Sequence, residues 1–341
     1  MQRCIELALC GAGSVSPNPM VGSVIVADGK VIGEGYHQRY GEPHAEANAI
    51  TAVLSDYSNG EELLKRSTLY VNLEPCAHFG KRPPCSDLII RCQIPEVVIG
   101  CRDPFPLVDG KGIEKLKDAG IRIIEDVLTA ECLHLNRRFI TRVQKQRPYI
   151  ILKWAQTGDG YFAPGDGSQR WISSAVAKKL VHKWRSEEDA VLVGFKTALS
   201  DDPQLNVRLS TGRNPVRIVI DRSLELPKSL NLFDQKHQTI VFNSQKTDVD
   251  NNIKYLEVED FDSYLPQLIC YQLYLMDFQS LIIEGGARTL QLFIDAGLWD
   301  EARVFIAEEH WDGGLSAPLL RGQPRTTHTV GNDILQTWYN Q

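Results

Sequence analysis

At 341 residues, with 43% hydrophobic and 23% charged positions, the chain is too long for one small core and too apolar to be disordered, so two domains are expected. A formal charge of −6 and a pI near 5.8 exclude a non-specific nucleic-acid or membrane-surface binder, because either needs a positive field. No run approaches the roughly 18 uncharged apolar residues of a membrane span.

The first segment, MQRCIELALCGAG, reads as an amphipathic helix through Ile5, Ala8, Leu9 and Ala12, because Glu6 interrupts the apolar run of a signal peptide. Residues 21–37 alternate around Asp28-Gly29 and predict a β-hairpin. A helix follows over 44–57, then a strand running to Cys76, a short helix at SDLIIRCQ, a strand at PEVVIGC, a helix ending before Gly120, a strand at IRIIEDV and a helix over 129–143. Such an order describes a sheet with helices on both faces. QKQRP, residues 144–148, reads as a linker, which sets the domains at 1–144 and 148–341. Beyond it come strand YIILKWA, helix 173–185, strands DAVLV, VRIVID and QTIVF, helix 262–275, strand SLIIE, helix 287–296 and strand EARVFIA. The halves share no repeat and read as two different α/β domains.

The eight cysteines have no secretory signal ahead of them, so they are read as reduced thiols that serve as core or as ligands. Cys76 and Cys85 flank a loop stiffened by Pro75, Pro83 and Pro84, and GEPHAEANA upstream places His44 and Glu46 at a helix start. Zinc takes thiolate and imidazole in a tetrahedron, and a catalytic site keeps three protein ligands. His44, Cys76 and Cys85 supply three, with Glu46 beside the metal to carry a proton from water to a leaving amine. Nucleobase deaminases use H-x-E followed by P-C-x-x-C. Here eight residues, not two, separate the cysteines. Core packing and a purely structural zinc are the competing readings. His78, Lys81 and Arg82 between the cysteines suit a substrate phosphate, and Asn18 suits a pyrimidine edge.

The second half lacks GxGxxG after its first strand, which excludes a dinucleotide-binding Rossmann domain. It carries LIIEGGARTL, where Gly285-Gly286 join a strand to a helix whose amides can meet a phosphate. Arg185, Thr197, Asp201 and Arg208 fall at polar turns beside apolar strands.

Taken together, NPMVGSVIV, GEGYH, GEPHAEANAI, LEPCAHFGKRPPC, GDGSQRWIS, TALSDDPQLNVR, RIVID and IEGGARTL resemble the bifunctional deaminase/reductase family of riboflavin biosynthesis over nearly the whole chain. The resemblance implies a cytidine-deaminase-like three-layer αβα sandwich followed by a dihydrofolate-reductase-like α/β domain. It implies Zn2+ and NADPH as cofactors and phosphorylated pyrimidines as substrates: deamination of 2,5-diamino-6-(5-phosphoribosylamino)pyrimidin-4(3H)-one, then reduction of the ribosyl group of the uracil product. By position it implies His44, Cys76 and Cys85 as zinc ligands, Glu46 as proton shuttle, and Asn18, His37, His78 and Lys81 as pyrimidine and phosphate contacts. Trp171, Thr197, Asp201, Gly286, Ala287 and Arg288 match NADP-binding positions, and Gln169, Arg185, Leu205, Arg208 and Glu284 match substrate positions. A cytoplasmic enzyme without nucleic-acid or membrane partners is expected, and a homo-oligomer is compatible with the sequence.

Three stretches depart from the family pattern: Thr157-Gly158-Asp159-Gly160 where serine, a hydrophobic residue and Asp-Gly are usual, Phe105 where asparagine is common, and residues 308–317, EEHWDGGLSA, in place of a Pro-Lys-hydrophobic-Gly-Gly turn. Two other readings compete with this one. A deaminase acting on nucleic acid is opposed by the acidic balance and the lack of an aromatic-interleaved basic patch. A non-catalytic zinc scaffold needs a fourth protein ligand, for which only His78 is near in sequence.

Overall fold

In the computed structural model, which describes residues 1–79, 83–166, 170 and 172–340, the chain divides into two units, Met1–Lys145 and Gln146–Gln341. The first runs through α1 (Gln2–Leu9), β1 (Gly22–Ala27), β2 (Lys30–Tyr36), α2 (Ala45–Asp56), α3 (Gly60–Leu64), β3 (Ser67–Leu73), α4 (Cys85–Arg91), β4 (Glu96–Cys101), α5 (Lys111–Asp118), β5 (Arg122–Ile124), α6 (Thr129–Leu135) and α7 (Arg137–Lys145). Asp28 and Gly29 turn the predicted hairpin with φ of 52° and 73°, as a two-residue loop between right-twisted strands requires. The sheet order is β2-β1-β3-β4-β5, antiparallel as far as β3 and parallel from β3 to β5. Ala49, Ile50 and Val53 of α2 and Ile89 of α4 cover one face, against Ile25, Leu69, Val71, Val97 and Ile99. Ile5 and Ala8 of α1 pack with Cys132 and Leu135 of α6 on the other face, which completes an αβα sandwich. Helix α2, which carries the HAE motif at its start, lies so close to β2 that a Cβ on Gly35 would stand 2.4 Å from the Ala49 nitrogen.

The second unit comprises β6 (Tyr149–Gln156), β7 (Tyr161–Ala163), α8 (Ala175–Glu187), β8 (Ala190–Gly194), α9 (Phe195–Asp201), β9 (Val216–Ile220), β10 (Thr239–Asn243), β11 (Asp248–Asp250), β12 (Ile253–Glu257), α10 (Leu265–Leu275), β13 (Ser280–Gly285), α11 (Ala287–Asp295), β14 (Glu301–Ile306), β15 (Leu315–Ser316), β16 (Thr326–Val330) and β17 (Asp333–Tyr339). Its large sheet has the order β11-β12-β10-β9-β8-β13-β6-β14-β17-β16. From β12 to β14 the strands are parallel, and the outer ones are antiparallel. The central strands read as unbroken apolar runs because both faces are covered. Leu265, Ile269 and Leu273 of α10 with Leu290 and Phe293 of α11 close one face, and Ala177, Val181 and Trp184 of α8 close the other. No helix is long and apolar enough to cross a membrane among the described residues.

Expected and observed elements differ where tertiary contacts intervene. The helix expected over 129–143 is two, α6 and α7, joined at Asn136. The Asn136 side chain accepts a hydrogen bond from Met20 N at 2.8 Å and donates one to Met20 O at 3.0 Å, so it serves the chain entering β1. The strand expected to reach Cys76 ends at Leu73, and Pro266 in the first turn of α10 delays that helix to Leu265. Helices α3 and α9 and strands β5, β7, β11 and β15 are all short, and α3, α9, β7, β11, β12 and β15 to β17 lay outside the expectation.

Replacing Asn136, which is 1% exposed, with leucine removes the acceptor of the Met20 N–H and should cost about 1–3 kcal/mol. Thermal unfolding of Asn136→Leu followed by far-ultraviolet circular dichroism should show a lowered Tm, and an unchanged Tm would refute that role.

Candidate active sites

Three elements of the first unit converge on one point. His44 is the N-cap of α2 in an extended conformation, Cys76 sits three residues beyond the end of β3, and Cys85 opens α4. His44 Nδ1 lies 3.6 Å from Cys76 Sγ and 3.4 Å from Cys85 Sγ. Tetrahedral bonds of about 2.3 Å to sulfur and about 2.0 Å to nitrogen require about 3.5 Å between such atoms, so the residues present fit a zinc ion. All three ligand atoms lie within 4.8 Å of one another. The Cys85 amide donates to Cys76 Sγ at 3.3 Å, which ties the start of α4 to the loop. Cys76 is the more acidic of the two thiols, held down by the hydrogen bond it shares with Cys85 and by His44.

Glu46 stands in the first turn of α2, 3% exposed, and burial pushes its carboxyl above the usual range. His37 Nδ1 faces the Pro43 carbonyl at 3.1 Å and therefore carries the proton, so Nε2 accepts from Asn18 Nδ2 at 3.0 Å. Burial holds His37 below its usual pKa, and its ring meets His44 edge-on at 5.4 Å. His78 Nδ1 is buried without a partner among the described residues, and Phe105 packs at 5.9 Å from the His78 ring. The family's asparagine position is thus an apolar neighbour of His78.

Sequence reasoning missed Glu74. Its buried carboxylate accepts from the backbone N–H groups of Asp103, Gly110, Gly112 and Ile113 at 3.0–3.3 Å. This fixes the loop after β4 against the end of β3, two residues before Cys76. A carboxylate in an otherwise apolar strand end, LEPC, was the available signal.

In the second unit, Glu284 at the end of β13 receives Arg185 of α8 in a bidentate pair, Nε at 2.6 Å and Nη2 at 2.7 Å, with side chains 7% and 12% exposed. Burial alone would push the Glu284 carboxyl up, but the Arg185 guanidinium holds it down at about 2. Lys153 of β6 stands 4.0 Å from Glu284, its ammonium pushed below the usual range by burial. Lys153 was missed, although a lone lysine inside YIILKWA marks it. His182, lowered to about 4 by burial and then by Arg185 and Arg208, accepts from the Arg208 amide at 3.0 Å. Arg208 is exposed and bonds Gln204 and Asn206.

Gly285-Gly286 link β13 to α11, with Gly286 as N-cap and Ala287 and Arg288 opening the helix. A Cβ on either glycine would meet Thr197 of α9 at 2.9–3.2 Å, so this turn and the start of α9 are in contact. Asp201 ends α9, exposed, with a hydrogen bond from Ser200. Leu205 is buried in the core at φ 50°. Lys81, Gln169 and Trp171 lie outside the described residues.

A His-Cys-Cys set that fits a metal in one unit and a cluster of buried charges beside a Gly-Gly turn in the other mark two candidate sites, and comparison with known proteins gives the family. Residues 1–101 match the cytidine and deoxycytidylate deaminase zinc-binding region, and residues 148–324 match the RibD C-terminal domain. The riboflavin biosynthesis protein RibD of Aquifex aeolicus is 42% identical over 320 residues, covering 93% of this chain and 88% of that one. That of Escherichia coli is 35% identical over 323 residues, covering 90% and 86%. The crystal structure of a diaminohydroxyphosphoribosylaminopyrimidine deaminase/5-amino-6-(5-phosphoribosylamino)uracil reductase from Thermotoga maritima superposes with a TM-score of 0.91 at 39% identity, covering 100% of this chain and 97% of that one. Acinetobacter baumannii RibD gives 0.88 at 31%, covering 100% and 97%. The chain belongs to the RibD family, bifunctional enzymes of riboflavin biosynthesis with a deaminase domain followed by a reductase domain.

Because the folded Glu284 pKa of about 2 lies below the unfolded value of about 4.3, its pairing stabilises the fold above about pH 4.3, and the gain is lost as pH falls towards 2. All six tryptophans fall in the second unit, so their fluorescence reports its unfolding. Urea unfolding followed this way should lose on the order of 3 kcal/mol across that window. Glu284→Gln should be less stable at neutral pH and flatter across the window; an equally steep loss would refute the assignment.

Proposed function

We propose that residues 1–144 hydrolytically deaminate 2,5-diamino-6-(5-phosphoribosylamino)pyrimidin-4(3H)-one and that residues 148–341 reduce the resulting 5-amino-6-(5-phosphoribosylamino)uracil to its ribitylamino product with NADPH. The observation that carries this reading is the His44, Cys76, Cys85 triad with buried Glu46 beside it, in a chain related to RibD proteins over nearly its whole length. When bound, zinc supplies a water of lowered pKa, and NADPH supplies a hydride.

In the deaminase half, Glu46 takes a proton from the attacking water and delivers it to the leaving amine, so the C–N bond breaks as the C–O bond forms and ammonia departs. Its burial favours the protonated form, which suits a group that must give the proton back. His37 fixes the Asn18 amide by accepting its N–H, and Asn18 reads the pyrimidine edge. His78 and Lys81 contact the substrate at the loop between the cysteines, Lys81 serving the phosphate.

In the reductase half, Thr197, Asp201, Trp171 and the turn Gly286, Ala287 and Arg288 hold the cofactor, with two helix starts meeting its phosphates. Arg185, Arg208, Gln169, Leu205 and Glu284 hold the substrate. Glu284, kept ionised, orients the Arg185 fork, and Lys153 adds a second buried cation. A cytoplasmic setting suits cysteines of which none is in a disulfide, because the metal ligands must stay reduced.

Adding the undeaminated diaminopyrimidine to zinc-loaded protein should consume NADPH, read as loss of its absorbance, because the second site acts on the product of the first. Glu46→Gln should retain zinc and abolish both ammonia release and NADPH loss, while still reducing the uracil supplied directly. Normal ammonia release by Glu46→Gln would overturn the mechanism, and no reduction of the supplied uracil would overturn the reductase reading.

A further inference from the structure

Two of the three stretches that depart from the family pattern, Thr157–Gly160 and residues 308–317, are some 150 positions apart in sequence and meet in the fold. Asp159 is the hinge of their contact. One carboxylate oxygen accepts from Thr157 Oγ1 at 2.5 Å, and the other accepts from the backbone N–H groups of Trp311 at 3.0 Å and Asp312 at 2.9 Å. The Gly158 amide donates to the Glu309 carbonyl at 2.9 Å, and β7 pairs with β15 just beyond. These bonds hold Asp159 down at about 2, the Thr157 hydroxyl contributing most.

The side chains fit as the backbones do. A Cβ on Gly158 would stand 2.9 Å from His310 Cε1 and 3.2 Å from its Nε2, so the imidazole fills the space a residue 158 side chain would take. His310 Nδ1 faces the Glu308 carbonyl at 3.0 Å and so carries a proton. Gly314, at φ 143°, closes the contact where a Cβ would meet the Ala163 carbonyl at 2.4 Å. Each departure is the complement of the other.

The place of this contact gives it a use. β6 and β14 are parallel neighbours that end together, Gln156 opposite Ile306, one strand beyond the Glu284-Gly285-Gly286 turn. A dinucleotide whose phosphates meet the starts of α9 and α11, at the ends of β8 and β13, reaches the end of β6 within one further strand spacing of about 4.8 Å. Lys153 of β6 stands 4.0 Å from Glu284, so the buried charges at this edge run from β13 to β6, the side on which the reactive end is placed. We propose that His310 is a specificity-determining residue of the reductase half, forming the pocket wall at the nicotinamide end of NADPH in place of a side chain at position 158, with Asp159 as its positioning residue. This rests on the reductase reading given above.

The test measures the NADPH dissociation constant by calorimetry and the KM and kcat of uracil reduction, with the deaminase rate and the tryptophan unfolding midpoint as checks of folding. Gly158→Val should weaken NADPH binding about tenfold by displacing His310, and the double variant Gly158→Val/His310→Gly should recover to within about threefold of the unsubstituted protein. His310→Ala, at an exposed position, should raise KM for NADPH about fivefold with kcat, deaminase rate and unfolding midpoint unchanged. Asp159→Asn should shift KM in the same direction. A double variant no better than Gly158→Val, or a His310→Ala protein with unaltered NADPH affinity, overturns the proposal. If the unsubstituted protein binds no NADPH, the reductase reading itself fails and takes this one with it.

Discussion

Parallel pairing makes neighbouring strands end on the same edge, and both units build their polar constellations on that constraint. In the first, β3 and β4 end side by side, Leu73 opposite Cys101, and the chain leaving β3 carries Cys76. In the second, β8, β13, β6 and β14 release Gly194, Gly285, Gln156 and Ile306 along one edge. Strand ends are where backbone groups lose their ladder partners, so loops and helix starts gather there, and ligands bind in the crevice they leave. The interiors of the strands are given over to apolar packing on both faces.

Holding charges at such an edge requires partners already in place. Glu74 shows this in the first unit: its buried carboxylate accepts from four backbone N–H groups, which draws the segment from Asp103 to Ile113 against the end of β3. Asp103, beside it, accepts from the Phe105 amide, and burial raises its carboxyl to about 7. In the second unit Glu284 is satisfied by the Arg185 fork. Other buried ions are structural by the same measure. Arg217 spends its guanidinium on the Asn231, Leu232 and His237 carbonyls, Thr239 and Asp234, and Arg147 spends its own on Asp300 and Pro148. Those two arginines tie loops to strands.

The departures from the family pattern make sense only as pairs. Gly158 taken alone loses a side chain from a turn, and EEHWDGG taken alone loses a proline and a lysine. Together they restore a packed contact, because the imidazole of His310 takes up the missing volume and Asp159 supplies the acceptor for the Trp311 and Asp312 amides. Phe105 is the third departure, and it meets His78, a residue of the loop between the cysteines.

Much of this chain was legible in the order of its residues. His44, Glu46, Cys76 and Cys85 could be read as a metal set because ligand chemistry resides in the residue types, and the hairpin at Asp28-Gly29 and the helices with apolar stripes could be read because their signals lie within a few residues of one another. The short elements α3, α9, β7 and β15, the break at Asn136 and the antiparallel strands β17 and β16 at one end of the large sheet were not legible, since too few local contacts favour them and distant ones decide them. Lys153 looked like a solitary charge until β13 placed Glu284 beside it. The sequence by itself therefore determined the chemistry on offer and the periodic elements. The tertiary structure alone decided which side chains share a strand end, because that depends on which distant strands pair and in what register.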